Sequence, residues 1–101
     1  MVRTSGSIAS QRLGDVPDDK RFWCRDGRVF KNLSELEAAL SDMSDDVYSY
    51  HCNESRKDFA AWVRVVIGDS RLARDLSESK SPSQAARRVA DRIKWLQARV
   101  N

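Results

Sequence analysis

The chain has 101 residues, of which 41% are apolar and 33% charged, with a formal net charge of +3. That length suits a single domain able to bury a usable core without covalent staples. No apolar run approaches the roughly 18–20 residues that cross a bilayer, and two cysteines without a ligand cluster exclude a disulfide framework.

Residues 1–20 hold Ser5, Gly6, Ser7, Gly14, Pro17 and the pair Asp18-Asp19, with only scattered apolar groups. Such a composition does not offset the entropy of ordering it, so a flexible N-terminal arm is expected, with order beginning near Arg21. A single compact helical domain is expected over 21–101.

In RFWCRDGRVFK, residues 21–31, two short runs rich in aromatic and β-branched residues flank Asp26-Gly27. That dipeptide supplies the positive φ angles of a tight turn, which predicts a β-hairpin. An isolated hairpin is marginal in water and must lie on helices. Trp23 and Phe30 are expected to point inward, with Phe22 taking the place of Trp23 if the register differs by one.

Ser34-Glu35-Leu36-Glu37 reads as a capping box with Leu33 as the staple residue. Leu33, Leu36, Leu40 and Met43 then share one face of a helix ending near Met43. Ser44 is a further N-cap, leading into a turn or two of helix up to His51, with a short strand as the competitor. In DFAAWVRVVIGD, Phe59, Trp62, Val63, Val66 and Ile67 fall at helical spacing, and Gly68 stands where a left-handed cap is wanted. Asp69 or Ser70 starts a short helix that turns Leu72, Ala73 and Leu76 inward. Ser81-Pro82-Ser83-Gln84 then combines an N-cap, a first-turn proline and a capping-box glutamine. The last helix carries the stripe Ala85, Ala86, Val89, Ile93, Leu96 and Val100. The expected fold is mainly α (α+β), an N-terminal β-hairpin packed on four or five short helices.

From Phe22 to Leu76 the chain resembles an uncharacterised family of small prokaryotic domains, many of them archaeal. The resemblance rests on Gly27, Leu33, Leu36, His51, Asn53, Asp58, Phe59, Trp62, Gly68, Asp69, Leu72 and Ala73. Lys57 stands where that pattern has asparagine. The resemblance implies a compact accessory domain and brings no mechanism with it.

The candidate polar site is His51 with Asp58, seven residues apart. A His–Asp pair can orient a proton carrier, but no nucleophile motif accompanies it. The structural alternative has His51 capping or packing, with Asp58 at a helix N-cap. No catalytic residue is assigned. Adjacent His51-Cys52 and a distant Cys24 do not match zinc spacing, so no metal is expected. Isolated glycines form no phosphate loop, so no cofactor is expected either.

Residues 71–101 carry eight Lys/Arg against Asp75, Glu78 and Asp91, a net +5 that leaves −2 for the remainder. On the last helix Arg88, Arg92 and Arg99 line up with Trp95 beside the apolar stripe, not on it. That face suits an acidic protein groove or a phosphate backbone with a stacked base. It suits better still a solvated helix on which arginine stems cover an indole, and this face nevertheless remains the best site candidate. The expected function is therefore a non-catalytic protein-interaction or regulatory module using Arg88, Arg92, Trp95 and Arg99. Nucleic-acid binding by the same helix is the alternative, and a small enzyme using His51 and Asp58 ranks last. A cytoplasmic location is expected, with no signal peptide and no membrane partner.

Overall fold

A computed structural model describes residues 5–100. In chain order the elements are α1 (Gly6–Leu13), a 3-10 turn (Asp18–Lys20), β1 (Phe22–Trp23), β2 (Val29–Phe30), α2 (Leu33–Ser41), α3 (Asp45–His51), α4 (Asp58–Trp62), α5 (Ser70–Ser77) and α6 (Pro82–Val100). The expected hairpin-on-helices architecture is present, and α6 forms its spine, with α1, α2 and α5 packed along it.

The expected N-terminal arm is corrected by α1. Ser5 caps this helix, its Oγ accepting from the Ile8 N–H at 3.2 Å, and Ala9 is fully buried. The docking depends on small side chains. A Cβ at Gly6 would lie 2.8 Å from the backbone oxygen of Arg99. Glycine and alanine let two backbones approach closely, and this is why a stretch poor in large apolar residues is nevertheless ordered. Residues 1–4 of the expected arm and residue 101 of the expected domain lie outside the described residues.

Gly6→Ala tests that contact. Helix propensity alone favours alanine by about 1 kcal/mol, so a net loss of stability identifies the close approach as the cause. Faster amide exchange in α1, with α2 unchanged, is the expected result.

The hairpin pairs Phe22 with Phe30 and Trp23 with Val29. Its loop has three residues, Arg25, Asp26 and Gly27, closed by the Cys24 N–H donating to Arg28 O at 2.9 Å, with Gly27 at φ 95°. A two-residue Asp26-Gly27 turn would have set Trp23 opposite Phe30. The extra loop residue shifts the register by one and reverses which faces point inward. Phe22 therefore enters the core, and Trp23 is 74% exposed. The stacked rings of Phe22 and Phe30, 5.0 Å apart, meet Phe59 and the edge of Trp62.

The cap of α2 falls two residues earlier than the expected Ser34. Asn32 accepts from the Glu35 N–H at 2.8 Å, and Glu35 Oε1 accepts from the Lys31 N–H at 3.0 Å. Leu33 thus begins the helix instead of stapling it, and the last helical residue is Ser41. The expected caps of α3 and α6 are present: Ser44 accepts from Val47, while Ser81 and Gln84 cap α6. Val100, expected in the stripe, is 42% exposed.

The helix over DFAAWVRVVI departs from α-geometry. After α4 the chain makes one π-helical turn, Val63–Ile67, and Gly68 ends it at φ 86°. Val63 O accepts from both Gly68 and Asp69, at 2.8 and 3.1 Å. This wider turn leaves Val65 76% exposed while Val63 and Ile67 stay buried. It also delivers Asp69, fully buried, to the N-cap of α5.

Candidate functional site

The sequence-selected residues of α6 separate into two kinds. Arg92 turns inward: its Nε lies 2.7 Å from Asp69 Oδ2 and its Nη2 lies 3.0 Å from Oδ1. Asp69 also accepts from the Leu72 N–H at 3.1 Å. Arg92 is therefore a bidentate brace between the N-terminus of α5 and the middle of α6. Arg88 is tethered as well. Its Nη1 donates at 2.7 Å to Asp75 O, one of the carbonyls in the last turn of α5 that lack helical partners.

Trp95 is half-buried, its indole held between guanidinium groups. The Cζ of Arg92 lies 4.2 Å from the ring centroid and that of Arg99 lies 3.4 Å away. Arg99 is exposed and donates to Trp95 O at 2.9 Å. Both arginines face the indole π-cloud, an arrangement that fixes its orientation.

Together these residues wall an open groove of about 440 Å³ between α5 and α6, lined by Arg71, Asp75, Glu78, Arg88, Asp91, Arg92 and Trp95. Three arginines meet three carboxylates there, so the +5 of the C-terminal segment does not become a positive groove. Glu78 and Asp91 are exposed and have no ion pair among the described residues. The groove contains Arg88, Arg92 and Trp95, and Arg99 is not among its lining residues.

His51 and Asp58 do meet, at 2.9 Å between Nδ1 and Oδ2. His51 is only 4% exposed and packs against Phe22, Phe59 and Tyr50. The Arg25 N–H donates to Nε2 at 3.0 Å. A backbone amide can only donate, so Nε2 is the acceptor and Nδ1 carries the proton toward Asp58. A general base needs a free lone pair within reach of substrate. This ring has none, and it braces the hairpin against α3 and α4. Asp58 is the first residue of α4, not its N-cap, and it also accepts from Arg56 Nη2 at 2.7 Å.

No family model, curated protein or solved structure matches the chain. Cys24 and Cys52 are free thiols, and burial raises the Cys24 thiol above its ordinary value, away from reactivity. Among the described residues no three His, Cys, Asp or Glu side chains converge as metal ligands, and no helix is long and apolar enough to cross a membrane.

Sequence reasoning missed a second surface feature. Tyr50 on α3 lies between Arg25 and Arg56, each Cζ 4.3 Å from the ring centroid. The Arg56 guanidinium, and after it Arg25, holds the Tyr50 phenol below its ordinary value. Tyr48 behaves in the opposite way. It is buried, donates to Ser79 O at 3.2 Å, and burial pushes its phenol far up.

A pH titration of tyrosinate absorbance is accordingly expected to show two separated steps, one on each side of pH ~10. Arg56→Ala moves the lower step upward. Because the folded Tyr48 value is raised, its contribution to stability is complete below the unfolded phenol value and is lost as pH climbs toward the folded one. Tyr48→Phe flattens that alkaline loss. A single merged step would contradict the assignment.

Proposed function

We propose that this protein is a non-catalytic interaction module that binds a polypeptide partner in the groove between α5 and α6. The observation supporting this reading is the groove's charge balance beside a clamped indole. Exposed Glu78 and Asp91 offer carboxylates, Arg71 offers a cation, and Trp95 offers a half-buried apolar wall. A polypeptide carries both signs of charge and apolar side chains, and interface centres favour tryptophan and arginine. A phosphate backbone is a weaker fit. It needs uncompensated cations, whereas Arg92 is committed to Asp69 and the three groove carboxylates repel phosphate. The buried His51 ring, with both nitrogens engaged, supports a structural and not a catalytic role for the His51–Asp58 pair.

The test is affinity capture from a cell lysate with nuclease treatment, comparing the wild-type chain with Asp91→Arg. Asp91 is exposed, so the substitution spares the fold. A protein retained by wild type, lost in the variant and bound again as a purified partner is the expected outcome. Capture of nucleic acid alone, lost on raising salt, would favour nucleic-acid binding by α6 and overturn the polypeptide reading.

A further inference from the structure

The outward face of the hairpin carries an aromatic and cationic patch that shares no lining residue with the α5–α6 groove. Burial alternates along β1 and its extension: Phe22 and Cys24 point inward, Trp23 and Arg25 outward. Trp23 is the more conspicuous. A 74%-exposed indole on a two-stranded sheet gains nothing for the fold, and its cross-strand partner Val29 adds apolar area beside it. Arg21 and Lys31 extend the same face, each with a carboxylate beside it, Asp18 and Asp15, whereas Arg25 has no ion pair among the described residues.

The patch is preorganised from beneath. Arg25 donates its backbone N–H to His51, His51 donates to Asp58, and Asp58 accepts from Arg56. Arg25 and Arg56 then each lie over the Tyr50 ring. A closed circuit of hydrogen bonds and π-contacts thus holds two guanidinium groups in fixed positions with little side-chain entropy left to lose on binding. Each strand is only two residues long, too short to template an added strand, and the flanking carbonyls of Lys31 and Lys20 already accept from Val16 N–H and the Trp62 indole. Strand addition is therefore not the mode of recognition.

We propose that Trp23, Arg25, Tyr50 and Arg56 form a second docking site, for an acidic polypeptide segment with an apolar side chain to cover the indole. Charge complementarity selects the occupant. Arg25 has no carboxylate partner among the described residues, and rigid guanidinium forks match carboxylates bidentately. Tryptophan, tyrosine and arginine are the side chains that dominate protein interfaces. A single-stranded nucleic acid fits less well. The Tyr50 ring is already overlain by two guanidinium groups, one open indole is not a run of stacking platforms, and Asp18 beside Arg21 and Asp58 beside Arg56 interrupt any positive track.

The test uses the full chain, nitrogen-15 labelled, and follows its indole N–H signals by NMR. The probes are a short peptide alternating glutamate and leucine, its lysine-for-glutamate counterpart, and an oligothymidylate of similar length. The glutamate peptide is expected to shift the Trp23 signal saturably. The Trp62 signal, fixed by its bond to Lys20, stays in place and reports an intact fold. Arg25→Glu weakens the effect about tenfold or more, as loss of a central interface arginine does, and Trp23→Ala, read from the backbone amide signals of the hairpin, abolishes binding without touching the core. Equal shifts with both peptides, no shift with either, or a shift with the oligonucleotide alone would overturn the proposal. Asp91→Arg leaves this binding unchanged, so failure here is distinguishable from failure at the groove.

Discussion

Arg92→Ala is expected to destabilise the fold by about 3–5 kcal/mol, the usual cost of stripping one partner from a buried ion pair. Asp69 is fully buried, and the Arg92 side chain is only 13% exposed. Removing the guanidinium leaves a carboxylate with no counter-charge and only the Leu72 N–H as a partner. For a domain of this size each kcal/mol moves the melting temperature by roughly 4–8 °C. The loss is thus a large fraction of the ~5–15 kcal/mol typical of whole-domain stability. Arg88→Ala, which removes one bond to a helix-end carbonyl from a partly exposed side chain, is expected to cost only about 1 kcal/mol. Pairing Arg92→Met with Asp69→Asn, which keeps an N-cap acceptor, recovers part of the loss because no charge is left unpaired. Calorimetric melting of the three variants measures this directly. Equal, small effects at Arg88 and Arg92 would contradict the brace.

Phe30→Ala is the second large effect, about 3–5 kcal/mol for truncating a buried phenylalanine. Phe30 is 1% exposed, stacked on Phe22 and set against the edge of Trp62. Its loss opens a cavity where β2 packs on Trp62, and a hairpin alone is not stable in water. Trp23→Ala provides the contrast. Although tryptophan is the larger residue, its exposure limits the expected change to within about 0.5 kcal/mol. Denaturant unfolding of both variants reports the register. A Trp23→Ala loss as large as that of Phe30→Ala would mean that the two-residue turn is present after all.

That contrast marks where local sequence signals end. The helices announced by caps, α3, α5 and α6, were legible because a serine or aspartate oxygen and a nearby N–H need only a few residues to find each other. The apolar core was legible for the same reason, since Leu33, Leu36 and Leu40 recur at helical spacing. Register was not. Asp26-Gly27 serves a two-residue and a three-residue loop equally well, and that single residue decides whether Trp23 is core or surface.

The α1 helix escaped for a different reason. Its docking on α6 sets Gly6 against the backbone of Arg99, some ninety residues away, and buries Ala9, and such small residues leave no hydrophobic signature. The candidate site was legible in part. Arg88, Arg92 and Trp95 do meet along one groove, but the sequence around Arg92 holds no trace of Asp69, whose carboxylate withdraws it from solvent. The Arg25–Tyr50–Arg56 stack joins a hairpin loop, a helix and a further loop, and no spacing rule connects them. Gly68, Asp69 and Trp62 serve as left-handed cap, buried brace and hairpin anchor, so each has a structural task that accounts for its identity.

The most direct measurement places a photo-crosslinking residue, p-benzoylphenylalanine, in turn at Asp91 inside the groove and at Val65, an exposed position on the π-helical turn outside it. Irradiation in cells is expected to give one discrete protein adduct from position 91 and none of that mass from position 65. Identical adducts from both positions, or an adduct at 91 that nuclease removes, would contradict a polypeptide-binding groove between α5 and α6.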